Sequence, residues 1–130
     1  GNHDNRNYEA DWGEKWQGLL EYTDEDIDDG DTNYDFKQTN YDNQANQLLA
    51  KNLKGKLMLA HGNLDDNVSP YSTLLVVDAL IKENKDFDLI IFPNKRHGYG
   101  DMNNYFTRKK WDYFVKHLKG IEPPKEFEMK

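Results

Sequence analysis

Cysteine is absent from this chain of 130 residues. Its absence excludes a disulfide, a thiolate zinc site and a cysteine nucleophile, and it leaves the compartment open. Long apolar runs are also lacking, and none approaches the roughly 20 residues that a membrane-spanning helix needs. Basic charge is in the minority, since the formal net charge is −7. We therefore expect no nucleic-acid partner and no membrane contact for this segment.

An initiator methionine and a signal peptide are missing as well, because the chain opens with "GNHDNRNY". We interpret the chain as part of a longer protein. Its composition and hydrophobic periodicity change along its length. Residues 1–48 are polar and rich in Asn and Asp, residues 49–120 are regular and periodic, and the tail "IEPPKEFEMK" at 121–130 carries a proline pair. One domain over residues 1–120 with a loose C-terminal tail is expected.

The polar N-terminal region offers three local patterns. "ADWGEKWQGLLEY" predicts a short helix with Trp12, Trp16 and Leu19 on one face. "TDEDIDDGDTNYD" has seven acidic residues in thirteen but lacks the spacing of an EF-hand, which favours a solvated loop. "NYDNQANQLLAKNLKG" predicts a helix that ends near Gly55.

The periodic region alternates strands and helices. "KLMLAHG" at 56–62 and "FDLIIFP" at 87–93 are typical of buried parallel strands. A helix between them begins at Ser69 and Pro70, and its apolar positions are Leu74, Val77 and Ile81. "YFTRKKWDYFVKHLKG" predicts a closing helix whose apolar face is formed by Trp111, Phe114, Val115 and Leu118. This order predicts an α/β fold with parallel strands and helices on both faces.

Polar loops follow both strands and bring candidate chemistry to one sheet edge. Asp65 and Asp66 follow the first strand and His97 follows the second. The carboxyl ends of parallel strands carry the active site in open α/β sheets. A carboxylate beside an imidazole fixes the tautomer of the ring and stabilises its protonated form. Gly98, directly after His97, is expected to let the chain turn sharply there.

Two other interpretations of these residues stay open at this point. A histidine in a surface loop is commonly just solvated. A metal site could use His61, His97, Asp65 and Asp66, although no short histidine spacing typical of such sites is present. We expect no metal and no cofactor.

The sequence of the second half resembles that of a known protein family. "LKGKLMLAHGNLDDNVSP", "FDLIIFPNKRHGYG" and "RKKWDYFVKHLKGIEPP" are similar to the C-terminal end of the catalytic domain of prolyl oligopeptidase-family serine peptidases, in the dipeptidyl peptidase IV-like branch. "GNHDNRNYEADWGEKWQG" extends the resemblance to the N-terminus. The resemblance implies the C-terminal portion of an α/β-hydrolase fold.

Roles follow from the resemblance position by position. It implies that Asp65 is the triad acid and His97 the triad base, while Asp66 is structural. It implies that Asn67 hydrogen-bonds a substrate carbonyl. Tyr8 and Trp12 align with two tyrosines that line the pocket for a proline-like side chain, with tryptophan departing from the family pattern at the second position. Simple core packing is the alternative for these two aromatic residues.

The family nucleophile is the feature that this sequence does not contain. No G-x-S-x-G pentapeptide occurs, and Ser69 and Ser72 lie where helix capping explains them better. The expectation is therefore a fragment of a serine peptidase that cleaves dipeptides after proline or alanine, inactive alone, with a peptide as substrate. The alternatives are a non-catalytic binding module and a fragment of an esterase or acyl-peptide hydrolase. A truncated sheet predicts a homo-oligomer, and a periplasmic or secreted location is suggested only by the family.

Overall fold

The computed structural model describes residues 1–8, 10–21 and 39–129. They form two compact units. The first unit contains Gly1–Leu53 and Tyr71–Lys85, and the second contains Lys54–Pro70 and Asp86–Lys130. The predicted acidic loop falls within the part of the chain that is not described. In the described part, no helix combines the length and the apolar character needed to cross a membrane.

The second unit is built on two parallel strands. Strand β1 (Met58–Gly62) pairs with β2 (Asp88–Phe92) in a register that sets Leu59 opposite Leu89 and Gly62 opposite Phe92. Both strands are short apolar runs, and Pro93 cannot donate a ladder hydrogen bond beyond β2. The two predicted strands and their parallel order are confirmed.

The predicted burial of β2 is wrong for two of its side chains. Leu89 and Ile91 are 37% and 39% exposed, whereas Phe92 is buried. Leu89 and Ile91 alternate along the strand and share one face. A parallel strand is fully buried only when both of its faces are covered. An apolar run in the sequence shows that a strand can be buried. It does not show whether another element packs against each face.

An aromatic cluster fixes the loop after β2. The ring of Phe92 stacks on Tyr99 at 4.3 Å between centroids and meets Phe106 edge-on at 5.7 Å. Tyr99 also meets Phe106 at 4.7 Å. Offset and edge-to-face pairs of this kind are favourable beyond their apolar area. The cluster therefore ties the end of β2, the following loop and the next helix together.

The closing helix follows a 3₁₀ turn at Gly100–Met102. Helix α3, the third α-helix in chain order, spans Asn103–Phe114. A π-helical turn over Val115–Lys119 continues it, and the chain leaves this turn at Gly120, where φ is 66°. The helix is confirmed, and its apolar face is largely exposed. Trp111, Phe114 and Leu118 are 57%, 57% and 78% exposed, because helical spacing aligns side chains without providing a surface that faces them.

The first unit opens with the predicted short helix. Helix α1 spans Ala10–Gln17, and Gly18, with φ of 91°, donates its N–H to the carbonyl of Glu14 at the C-terminal end. This left-handed position is one that glycine adopts without steric cost. Trp12 and Trp16 are 57% and 71% exposed.

The helix predicted to end near Gly55 is wrong. Only 3₁₀ turns occur there, at Asp42–Gln44 and Ala50–Asn52. In a helix the N–H of Asn46 would bind the carbonyl four residues earlier, but it donates to the carbonyl of His3 at 2.9 Å. Asn and Asp side chains also compete for backbone groups and favour turns.

Helix α2 spans Pro70–Lys82, beginning at the predicted proline. Its buried residues are Ser72, Thr73, Val76 and Leu80, whereas Leu74 and Ile81 are 49% and 63% exposed. The apolar positions read from the spacing are therefore not the buried row of the helix. Apolar residues occupy two neighbouring rows of this helix, so spacing alone does not choose between them. A polar contact marks the buried row, since Ser72 Oγ accepts the backbone N–H of His3 at 3.1 Å.

Candidate active site

The loop after β1 holds Asp65 in a self-capped turn. Its Oδ1 accepts the backbone N–H groups of Asn67 and Val68, both at 3.0 Å. An Asp that binds backbone groups two and three residues further on forms a local turn that the sequence itself encodes. The Asp65 side chain is only 6% exposed. Its second oxygen is therefore held in a defined direction.

His97 lies against that second oxygen. Its Nδ1 is 3.0 Å from Asp65 Oδ2, and its side chain is 58% exposed. Because Oδ2 of an ionised carboxylate only accepts, Nδ1 carries the hydrogen. A neutral ring in this tautomer has Nε2 as a hydrogen-bond acceptor. Among the described residues, no hydrogen bond or ion pair to Nε2 is found. Nε2 of His97 can therefore accept a proton from a group that is not among the described residues.

The two loops approach each other through backbone atoms. A Cβ at Gly62 would lie 2.4 Å from the carbonyl oxygens of both Lys95 and Arg96, so only glycine fits there. The N–H of Leu64 donates to the carbonyl of Lys95 at 3.0 Å. The N–H of Asn94 donates to Asn63 Oδ1 at 2.6 Å. These contacts fix the spacing between the Asp65 and His97 loops.

The chain bends sharply at His97, where Arg96 and Gly98 form an isolated antiparallel bridge. Gly98 does not adopt a positive φ, and a Cβ there would meet nothing within 4 Å. Asn94 and Gly100 have the positive values, 59° and 51°. Asn tolerates the left-handed region better than most residues. The predicted sharp turn beside Gly98 is therefore present, but the backbone at Gly98 does not require glycine.

The environment of Asp65 favours its ionised form. Burial raises the pKa of this carboxyl, but hydrogen bonds from the Val68 N–H, the His97 ring and the Asn67 N–H, together with the charge of His97, outweigh burial and lower the pKa below its ordinary value. Hydrogen bonds to the charged form of a carboxyl have this effect. Asp65 is therefore set up to accept from His97 at neutral pH.

Tyr99 anchors the His97 loop to β1. Its hydroxyl donates to the carbonyl of Ala60 at 3.1 Å. Burial raises the pKa of Tyr99, and the negative charge of Asp65 adds to this. Tyr99 could not be singled out from the sequence alone, since a tyrosine in a glycine-containing loop is commonly exposed. Its partners become visible only when the parallel pairing of β1 and β2 is known.

The remaining candidates have different surroundings. Asp66 forms an ion pair with Arg96, and both side chains are exposed. Asn67 lies on the Asp65 loop and is exposed. Tyr8 is half-buried and Trp12 is exposed, and both belong to the first unit. The structure therefore brings Asp65 and His97 together, while the substrate roles of Asn67, Tyr8 and Trp12 remain predictions.

His61 is a neighbour of the pair that the sequence considered only as a metal ligand. Its Nε2 lies 3.1 Å from Asp65 Oδ2 and 2.9 Å from the carbonyl oxygen of Val68. A histidine at the end of an apolar strand is a buried polar group that needs a partner, and this was the available signal. Within the described ranges, no group of three or more His, Cys, Asp or Glu residues is arranged to hold a metal ion.

Comparison with known proteins places the chain. The model of the prolyl oligopeptidase family, Peptidase_S9, matches residues 1–120. "Dipeptidyl peptidase family member 1" of Caenorhabditis elegans is 35% identical over 54 residues, which are 42% of this chain and 7% of that protein.

Solved structures agree with this family. A candidate dipeptidyl aminopeptidase IV from Bacteroides ovatus matches with a TM-score of 0.69 and 27% identity, covering 89% of this chain and 15% of the other. Dipeptidyl peptidase 4 of Porphyromonas gingivalis matches with a TM-score of 0.52 and 32% identity, covering 58% and 11%. The chain thus spans a small fraction of each relative, and its fold is that of the α/β-hydrolase part of such proteins. The chain belongs to the prolyl oligopeptidase family.

Proposed function

We propose that this chain supplies the general base and the orienting acid of a serine peptidase that removes dipeptides after proline or alanine. The observation that supports the proposal is the 3.0 Å contact between Asp65 Oδ2 and His97 Nδ1, with the rest of the imidazole exposed. Family membership and the dipeptidyl peptidase names of the similar proteins support the reaction class.

In the proposed reaction, His97 acts first as a base and then as an acid. A serine hydroxyl attacks the substrate carbonyl while Nε2 of His97 takes its proton, forming a tetrahedral intermediate. The C–N bond then breaks as Nε2 returns this proton to the leaving amine. Water repeats the sequence on the acyl-enzyme and releases the dipeptide. Asp65 holds Nδ1–H throughout and stabilises the imidazolium.

The nucleophile belongs to sequence beyond these 130 residues. The only serines are Ser69 and Ser72, and neither lies in a G-x-S-x-G motif. A triad acts as a unit, so a base without its nucleophile retains almost none of the rate enhancement. The isolated chain is therefore proposed to be inactive. Asn67, next to the pair on the same loop, is proposed to contact the substrate.

The test compares two polypeptides on an Xaa-Pro chromogenic substrate. The isolated chain should give no turnover above background, and a longer polypeptide that includes a G-x-S-x-G segment of the same protein should give turnover. His97→Ala should abolish that activity, and His117→Ala serves as the matched histidine control. Activity of the longer polypeptide that persists after His97→Ala would refute the role of His97. Complete inactivity of the longer native polypeptide would favour a non-catalytic binding module.

A further inference from the structure

His61 faces the carboxylate of Asp65 from the buried side. It occupies the fourth position of β1, its side chain is 2% exposed, and Asp65 follows four residues later. Its Nε2 lies 3.1 Å from the same carboxylate oxygen that contacts His97 Nδ1 at 3.0 Å. One oxygen therefore lies between two imidazole rings, a buried one and an exposed one.

The partners of His61 Nε2 determine its protonation. The carbonyl oxygen of Val68, at 2.9 Å, only accepts hydrogen bonds, and so does the ionised carboxylate of Asp65. A lone pair on Nε2 would face two acceptors in a buried place, which is unfavourable. Nε2 therefore carries a hydrogen, which it donates to the carbonyl oxygen of Val68, while Oδ2 of Asp65 lies 3.1 Å from the same nitrogen.

The four contacts of the Asp65 carboxylate divide between its oxygens. Oδ1 is held by the N–H groups of Asn67 and Val68 on its own loop. Oδ2 is hydrogen-bonded to His97 on the other loop and lies 3.1 Å from Nε2 of His61 on the strand. His97 is largely exposed, so His61 supplies the buried and fixed contact at Oδ2. The two N–H groups on Oδ1 already limit the rotation of the carboxylate, and His61 adds a buried polar group directly beside Oδ2.

We infer that His61 is a positioning residue, whose Nε2–H directs Asp65 Oδ2 toward Nδ1 of His97 and so selects the tautomer of the exposed ring. The catalytic meaning of this arrangement rests on the proposed function. The arrangement itself is a property of the folded chain, and it is measurable on the chain without turnover.

The experiment uses nitrogen-15 NMR of the histidine rings in this chain at neutral pH. In the native chain, Nε2 of His61 and Nδ1 of His97 should both show a directly bonded hydrogen. An unprotonated Nε2 on His61 would overturn the inference without any variant. This first measurement therefore decides even where a substitution at position 61 prevents folding.

A variant series separates positioning from simple packing. His61→Phe keeps a flat ring but removes the donor, and it should cause loss of the preference of His97 for the Nδ1–H tautomer. His61→Gln keeps an N–H donor and should retain part of the preference. His117→Phe, at a ring that contacts Tyr113, should leave His97 unchanged. A His61→Phe chain that folds, as judged by its amide spectrum, and keeps the native His97 tautomer would refute positioning.

Failure of this inference is distinct from failure of the proposed function. Turnover that depends on His97 but not on His61 would remove the positioning role alone. Native tautomers in this chain together with an inactive longer polypeptide would remove the peptidase function alone.

Discussion

Asp65 and His97 form a hydrogen bond whose two ends differ in exposure, 6% for the carboxylate side chain and 58% for the imidazole side chain. The acid is fixed from within by its own loop, while the ring extends outward with Nε2 directed away from the acid. An orienting group needs rigidity and a proton-transferring group needs access to its reactant. The geometry gives each residue the property that its proposed role requires.

Replacing the acid tests this division of roles. In the longer polypeptide, Asp65→Asn should lower kcat by about 10³–10⁴-fold, because an amide no longer fixes the tautomer or stabilises the imidazolium. Substrate turnover measured at several concentrations separates kcat from KM. Asp66→Asn is the matched control, since Asp66 pairs with Arg96 at the surface. Equal losses in the two variants would contradict the assignment of Asp65.

The lowered pKa of Asp65 predicts how stability depends on pH. Between the native pKa and the ordinary value of about 3.9, the unfolded chain binds more protons, so the free energy of unfolding rises with pH. The contribution is complete above the ordinary value and is lost as pH falls through the lowered native value. The free energy of unfolding, measured with urea between about pH 6 and 3, should change less steeply with pH for Asp65→Asn than for the native chain. Identical slopes would contradict the shift.

The close approach at Gly62 predicts a sensitive position. Gly62→Ala places a methyl group 2.4 Å from two backbone carbonyl oxygens. The backbone must shift, and overpacking of this kind costs about 1–3 kcal/mol. Denaturant unfolding measures the loss, and NMR of His97 reports its displacement. Gly98→Ala, one residue after His97, meets nothing within 4 Å and should be near neutral. A neutral Gly62→Ala would show that the loops adjust freely.

The anchor formed by Tyr99 predicts a smaller effect. Tyr99→Phe keeps the stacked ring but removes the hydrogen bond to the carbonyl of Ala60, which should cost about 0.5–1.5 kcal/mol. Tyr105→Phe is the control, because Tyr105 also meets Phe92 edge-on and its side chain is exposed. Thermal unfolding compares the variants. A larger loss for Tyr105→Phe than for Tyr99→Phe would contradict the anchoring role.

Local patterns predicted the strands, the loops and the Asp65–His97 contact. Short apolar runs bounded by Gly62 and Pro93 are strong strand signals, and parallel pairing forces the loops that follow them onto one edge. The burial of a side chain depends on which other element of the chain packs against it, and local patterns do not predict this. The exposed face of α3 and the buried row of α2 follow from which surface lies opposite, and periodicity carries no information about that.

The part of the site that sequence reasoning missed has the same origin. The contact of His61 with Asp65 depends on the turn between them, and the contact of Tyr99 with Ala60 depends on the strand register. The bend at His97 was predicted beside Gly98 and is present, but the positive φ values of this loop lie at Asn94 and Gly100. The sequence alone does not show which positions of a loop adopt them.

Parallel pairing of β1 with β2 also has a kinetic consequence. Asp65 and His97 are 32 positions apart, and the two strands meet only when the intervening chain closes as a long loop. Contacts between residues this far apart in sequence form slowly, because closing the loop costs chain entropy before the contact contributes any favourable energy. The hydrogen bond between the two side chains is therefore expected among the last native contacts to appear during refolding. Its NMR signal would report the completion of the sheet.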